Sequence, residues 1–535
     1  MARTLSILLL SVCAALAGCT SRTTVSVTGN APAQYSHVYL TLQGLWFNTS
    51  STAGPDDTSW VKFALDTPVT FDLATSSNAS LAQIATNLKL AAGTYSQVRL
   101  LPVDSSAALA DSAKTAGALY NAEADYVDGD GTLHQLPLEL LNPDKGIGIQ
   151  TSISITGKLS SGDSSSTTNI PIVLKLDGAR DLALFTYDTQ LGVLLSAHAS
   201  AYNLTDAGAI RGQLTLSGLS GITAANDRVD IQVSAESLSA DGTRHFIVNS
   251  APVSADGSFE LYPLATDSNT PSSYDLVIHG PAIATIIVKG VTVEAGDPSS
   301  ATPVSIGTLA PRAADSYSVS VPAGSPALPA DALVGFYQTL PGSSEVPYLI
   351  EAAPVDPFNR GLTNDPSLSK ATVDVGTFQS DGATITLAAA TPQEGIGSYR
   401  VAGSAPFFAD GLFGITVVTP ATTADVLVPT LSLPAASVGR SVLATVTAAT
   451  AGKYDRGDLI VSHDGAVVGT VALDTALTQS SPGTVRIDGL PAALYYLSVR
   501  VWRSGDPAGT LARQWYPTAM DLRTSTAGTA SLTVN

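Results

Sequence analysis

Short runs of alternating residues, cut every few positions by Gly, Pro or Asp-Gly, constrain this chain more than any other feature. In His37-Val38-Tyr39-Leu40-Thr41-Leu42 the apolar Val38, Leu40 and Leu42 fall on one face of an extended strand. Val69-Thr70-Phe71-Asp72-Leu73, Ile210-Arg211-Gly212-Gln213-Leu214 and Tyr274-Asp275-Leu276-Val277-Ile278 read in the same way. Thr and Val favour strands, while 45 Gly and 31 Pro punctuate them. No long amphipathic helical pattern competes. The expected class is mostly β, a β-rich first domain followed by serial β-sandwich modules. The 535 residues allow about three to five domains.

The start of the chain is different in kind. Arg3 precedes an apolar run from Leu5 to Ala15, and small residues follow, the layout of a secretory signal. Leu16-Ala17-Gly18-Cys19 then resembles the lipobox of bacterial lipoproteins. That resemblance implies cleavage after Gly18, a diacylglyceryl group on the Cys19 thiol and an acylated (palmitate-type) N-terminus. Two or more acyl chains anchor stably, at about 0.8 kcal/mol per buried methylene. Thr20 stands where an Asp would favour inner-membrane retention, so in a Gram-negative source the expected site is the outer membrane. Periplasmic and cell-surface orientations both stay open.

Charge and cysteine content narrow the partners. With 45 acidic against 26 basic residues the net charge is −19, which argues against a phosphate-neutralising nucleic-acid surface. The same balance argues against an electrostatic grip on anionic lipid. Cys13 would leave with the signal, and Cys19 is committed to lipid. No disulfide is then available, and stability has to come from apolar cores. No later segment nears the ~20 apolar residues of a membrane helix.

The expected organisation is a signal at 1–18, a lipidated tether at 19–24, a first domain at 25–205, and modules at 208–311, 312–426 and 427–535. The five residues Thr20 to Thr24 of the tether, fully extended, would reach roughly 17 Å. Within the first domain, Leu81, Ile84, Ala85 and Leu88 have helical spacing and predict a short helix over 80–88. The Ser-rich stretch Ser160 to Thr168 reads as a loop.

The first domain carries a series of motifs in a fixed order. Ala31-Pro32, a Trp before an apolar strand, Phe71-Asp72-Leu73 and Ala92-Gly93-Thr94-Tyr95 with Val98-Arg99-Leu100 come first. Asp128-Gly129-Asp130-Gly131, Gly146-Ile147-Gly148-Ile149 and Ile172-Val173-Leu174-Lys175-Leu176-Asp177 follow. To about Asn203 this resembles the bacterial lipoprotein family filed as domain of unknown function 4382. Leu176-Asp177 replaces the aromatic-Asp ending usual there. The resemblance implies location and architecture and no chemistry. Asp256-Gly257-Ser258-Phe259 followed by Tyr274-Asp275-Leu276 resembles a carboxypeptidase-regulatory or transthyretin-like β-sandwich. Leu90-Ala91-Ala92-Gly93-Thr94-Tyr95 is echoed by Leu490-Pro491-Ala492-Ala493-Leu494-Tyr495, with Ser273-Tyr274 and Gly397-Ser398-Tyr399 in similar places. Each delivers a Tyr into a strand, as at a sandwich corner where two sheets meet.

Catalytic sets are sparse. The sequence has no His-Glu-x-x-His pair, no Gly-x-Ser-x-Gly elbow and no phosphate loop. His463-Asp464-Gly465 sits between strands and reads as a hairpin turn, and Gly162-Asp163-Ser164 lacks the residues that would complete a lipase-like motif. Asp125, Asp128 and Asp130 are a weak calcium candidate, because carboxylate oxygens suit that cation. Asp128-Gly129-Asp130-Gly131 reads better as a hairpin loop. No cofactor is expected. The nearest approach to a ligand platform is in the last module. Alternation puts Tyr495, Leu497, Val499 and Val501 on one face and Tyr496, Ser498, Arg500 and Trp502 on the other. The returning strand adds Arg513 and Trp515. Tyr496, Arg500, Trp502, Arg513 and Trp515 would offer sugar rings flat aromatic faces and donors, or would cover a neighbouring module. The function expected is a non-enzymatic, lipid-anchored envelope protein with a structural or interaction role. The alternatives are a carbohydrate-binding or glycan-processing accessory protein, and an enzyme whose site is assembled from loops.

Overall fold

The computed structural model describes residues 20–535 apart from 76–80, 156–168, 189, 223, 226, 267–270, 297–302, 322–327, 421–424, 428–438, 451, 480 and 506–510. The expected signal, Cys19 and Gly162-Asp163-Ser164 lie outside the described residues. The fold is nearly all β.

One seven-strand order recurs in four stretches of the described residues. The first stretch contains Thr20–Asn30, Tyr35–Asn48, Val61–Asp72, Ala82–Ala91, Gly93–Pro102, Ile147–Ile155 and Asn169–Asp177. The second contains Ala207–Leu214, Arg228–Leu238, His245–Ser254, Ser258–Ala265, Ser272–His279, Ile286–Val293 and Val304–Leu309. The third contains Ser316–Ser320, Leu333–Gln338, Tyr348–Pro354, Ser367–Ser369, Tyr399–Ala405, Ala409–Val418 and Asp425–Leu427. The fourth contains Arg440–Ala448, Arg456–His463, Ala466–Ala472, Gly483–Leu490, Leu494–Trp502, Ala512–Asp521 and Ala527–Val534. In every stretch the first strand lies mid-way in a small sheet, antiparallel to the fourth and parallel to the seventh. Strands three, two, five and six form a larger antiparallel sheet in that spatial order. The first stretch adds a hairpin, Ala122–Val127 with Leu133–Glu139, and three strands after its seventh.

Alternation explains the packing. In Arg228–Leu238, Val229, Ile231, Val233 and Ala235 are buried in the core of the second sandwich, and Asp230, Gln232, Ser234 and Glu236 point the other way. In the fourth, Tyr495, Leu497, Val499 and Val501 enter the core. The repeated tyrosine has one job throughout. The Tyr95 hydroxyl donates to the Ala91 carbonyl at 3.2 Å and Tyr495 to that of Pro491 at 2.7 Å. Tyr399 donates to Ser369 at 3.0 Å, and Tyr274 donates to Ala265. Each ring near the start of a fifth strand ties down the end of the fourth.

Three expectations are corrected. Residues 20–24, expected to be a tether, are the first half of Thr20–Asn30, paired on both sides with Ala82–Ala91 and Asn169–Asp177. The helix expected over 80–88 is the strand Ala82–Ala91. Its pairing is interrupted opposite Thr23 to Ser26, and Asn87 has a φ of 57°. These bulges insert extra residues, so a two-residue period is read as a helical one. Finally, the break expected at 311 divides a sheet. Val373–Thr377 leaves the third stretch and runs parallel to Ile286–Val293 in the second, with Ala388–Ala390 beside it. Phe378, Ile385 and Leu387 pack on the second core.

The first unit touches each of the others. Arg228 reaches across to the Ala31 and Tyr35 carbonyls at 2.9 and 2.6 Å. His198 bridges Asp181 and, in the third unit, Asp331 at 2.9 and 2.7 Å. Arg99 pairs with Asp464 of the fourth. Asp464 and Gly465 both have positive φ, as a two-residue hairpin turn requires, and their carbonyls accept from Gly148 and Ala197. The His463-Asp464-Gly465 turn is thus a docking point.

Candidate functional site

The structure draws the expected platform into this docking seam. Arg500 is 3% exposed. Its guanidinium binds Asp458 at 2.7 Å and stacks over Phe358 and Phe185 at 3.3 and 4.2 Å. Trp502 is half-buried and meets Tyr187 edge-on at 5.8 Å. The Tyr496 hydroxyl donates to Asp56 at 2.9 Å, and burial, with that carboxylate beside it, holds its pKa well above the usual phenol range. Arg513 lies directly across from Arg500 and pairs with Glu139 of the first unit at 2.8 Å. Trp515 is opposite Ser498, further along the strand, and half-buried. Four of the five residues thus touch residues outside the fourth unit. The two indoles sit on either side of the Arg500–Arg513 pair, so they are not adjacent.

The acidic hairpin does not converge. Asp125 is buried beside Glu123, whose carboxyl burial and Asp125 together raise to about 7. Asp128 accepts from the backbone N–H groups of Asp130 and Thr132 at 3.0 and 2.9 Å and meets His134 at 2.8 Å. The His134 and Thr132 contacts lower its pKa. It organises the turn, and Asp130 is exposed. Among the described residues no group of side chains is suited to a metal ion.

A further concavity lies elsewhere. A cleft of about 520 Å³ opens where the first three units meet, within the size range of small-molecule sites. The second unit supplies the outward face of Arg228–Leu238 (Asp230, Gln232 and Ser234), with Arg244 and Phe246 from the neighbouring strand region. The first supplies Asp177 and Arg180, and the third Tyr337, Glu351 and Asp365. His279 and Glu351 pair across the cleft at 3.0 Å. Phe246 is 41% exposed. Next along the same strand face, buried Glu236 accepts from the Leu349 N–H at 3.3 Å. Burial, with the nearby Asp275 charge, pushes its pKa well above the carboxylate range. The wall therefore offers carboxylate acceptors, guanidinium donors and the exposed aromatic face of Phe246 to a polar ligand.

Sequence reasoning passed over this cleft. The usable signal was the row Asp230-x-Gln232-x-Ser234-x-Glu236 opposite an apolar row, a polar face too regular for a loop. What it lacked was the other two walls, which lie about 50 residues upstream and more than 100 downstream and belong to separate units.

The comparisons bear on this architecture unevenly. No curated protein matches the chain. Among solved structures, the Bacillus anthracis TIE protein aligns at 8% identity over 93% of this chain and 68% of that one, with a TM-score of 0.15. A variant of BcpA, the major pilin subunit of Bacillus cereus, aligns at 9% identity over 62% of this chain and 99% of its own, with a TM-score of 0.13. A streptococcal ancillary pilin aligns at 10% identity over 62% and 99%, with a TM-score of 0.11. Superpositions this loose carry no functional argument. One sequence match is specific: residues 20–181, the first seven-strand unit with its inserted hairpin, match the family described as "Domain of unknown function (DUF4382)".

Proposed function

We propose that this chain is a lipid-anchored envelope protein with a structural or interaction role and no catalytic activity, held to the bacterial outer membrane through Cys19. One observation carries the reading. Two of the ionisable side chains that the sequence offers to chemistry, Asp464 and Arg513, are spent at seams between units, and other charged pairs lie there with them. Arg99 with Asp464, Arg513 with Glu139, and His198 with Asp331 all join one unit to another. Buried pairs of this kind fix relative orientation more than they add stability. The strand pairing that begins at Thr20 supports close attachment, since an acyl group on Cys19 would sit one residue from the first sheet. The test is fractionation after a carbonate wash, with palmitate labelling. The intact chain should stay labelled in the membrane pellet, and Cys19→Ser should be unlabelled and soluble. A Cys19→Ser chain that stays in the pellet rejects the anchor.

A second reading, a carbohydrate-binding accessory role, is favoured by the exposed Phe246 in a cleft lined with paired donors and acceptors. Titration with envelope polysaccharides, comparing the intact chain with Phe246→Ala, tests it.

A further inference from the structure

The seam between the first and second units contains an amine in an unusual place. Lys175 lies on Asn169–Asp177, the seventh strand of the first unit. Ile172, Leu174 and Leu176 on that strand enter the first core, so Lys175 and Asp177 share the opposite face, which looks toward the second unit. Lys175 is 5% exposed, and its Nζ contacts the side-chain oxygen of Asn249 on His245–Ser254. Asn249 is 3% exposed, and its Nδ2 donates to the Pro263 carbonyl at 3.0 Å. Among the described residues, no carboxylate forms an ion pair with Lys175 within 4 Å. An ammonium in such a site has a large desolvation cost and no direct ion pair to offset it.

The neutral amine fits the site better. Burial lowers the Lys175 pKa, with Asp177 and Asp181 opposing the shift. A neutral lysine is a nucleophile, and the group it touches is a carboxamide held in place on both its atoms. Asp177 lies two residues along on the same face, and its Oδ1 is buried with no hydrogen-bond partner. Asp181 is committed to His198.

We propose that Lys175 and Asn249 form an intramolecular amide cross-link that joins the first two units covalently. The Lys175 Nζ lone pair attacks Asn249 Cγ, and a new C–N bond forms. The Cγ–Nδ2 bond then breaks, and Nδ2 leaves as ammonia with the proton surrendered by Nζ. The Asp177 carboxyl carries that proton from one nitrogen to the other. No oxidant or co-reactant enters, and the chain loses one ammonia. The product is a neutral amide in a buried seam, which removes the charge the site could not solvate. The neighbouring contacts hold the strands in register, since Asn30 donates to the Ser250 carbonyl and hydroxyl at 3.1 and 3.0 Å. Val173, Tyr262 and Ala209 pack alongside.

Mass spectrometry of the purified full chain tests this. The intact mass should fall short of the sequence mass, with lipid accounted for, by one ammonia. Proteolysis should release a branched peptide joining the Lys175 and Asn249 segments. Lys175→Met and Asn249→Ala should each restore the missing mass and abolish the branched peptide, and Asp177→Asn should slow its appearance at least tenfold. A wild-type chain of full sequence mass after prolonged incubation overturns the proposal. So does an ammonia loss that persists in Lys175→Met, because it would then arise elsewhere. Neither outcome depends on Cys19, so this test stands apart from the anchoring reading.

Discussion

The outward faces of two large sheets with the same strand order were put to opposite uses. In the fourth unit, the face bearing Tyr496, Arg500 and Trp502 is covered by the first unit. Its cations have carboxylate partners, Asp458 for Arg500 and Glu139 for Arg513. In the second unit, the face bearing Asp230, Gln232 and Ser234 borders a cleft, and the side-chain oxygen of Gln232 and one of Glu236 are buried without a partner. The covered face likewise leaves Ser498 Oγ, Arg500 Nη1, Trp502 Nε1 and Arg513 Nε buried without a partner, and each such atom costs about 1–3 kcal/mol. The two faces differ instead in what lies against them: the cations of the fourth-unit face are paired by carboxylates, and the second-unit face borders open space. Topology is therefore a poor guide to function here, and what packs against each face is a better one.

The largest effect that would break this comparison is on the covered face. Arg500→Ala should destabilise the full chain by about 3–5 kcal/mol, because it strands Asp458 in a buried site. Burial already raises the Asp458 pKa, and Arg500 works against that rise. Denaturant unfolding measures this. A change under about 1 kcal/mol would mean that the face is open to solvent and available as a platform after all.

The next effect is on pH dependence at the contact between the first and third units. Burial and Arg180 press the His198 pKa down, but Asp331 and Asp181 outweigh them and raise it to about 9. A raised pKa in the folded state stabilises fully below the unfolded value near 6.5, and that contribution is lost as pH climbs through about 9. Burial pushes the Asp181 carboxyl up despite its imidazole partner, so the net gain is smaller than the histidine shift alone implies. We expect a loss on the order of 1–2 kcal/mol between pH 6.5 and 9, absent in His198→Gln. Equal slopes in both chains would contradict it.

Much of the architecture was legible in the chain. Alternation located strands, and the Leu490 to Tyr495 echo of Leu90 to Tyr95 marked a real corner, since both tyrosines donate to a carbonyl four residues back. Alternation also assigned Tyr495, Leu497, Val499 and Val501 to the core and the next set to the other face. It could not say what lies against that other face, because Phe185, Glu139 and Phe358 come from distant segments. The strand Ala82–Ala91 was hidden by bulges, which imitate helical spacing. The loan of Val373–Thr377 to another sheet was hidden too, since a parallel strand five residues long has no local partner to betray it. The corner itself gives the third test. Tyr495→Phe deletes one buried donor to Pro491 and should cost about 1 kcal/mol, and Tyr399→Phe should cost a similar amount. A neutral result at both positions would reduce the repeated corner to ring packing.

The smallest expected effect is on the open face, and there the sign of the comparison is decided. Phe246 is 41% exposed, so truncating it removes little buried area. Phe246→Ala should change stability by no more than about 0.5 kcal/mol, as exposed substitutions generally do. If the cleft takes a sugar ring on that aromatic face, the same substitution should weaken polysaccharide binding at least tenfold while the unfolding midpoint stays in place. Trp502→Ala should behave in the reverse manner, lowering the midpoint through its lost contact with Tyr187 and leaving binding unchanged. Fluorescence titration and thermal unfolding, run on both variants, separate the two faces. If Phe246→Ala unfolds the chain and Trp502→Ala abolishes binding, the roles of the covered and open faces are exchanged.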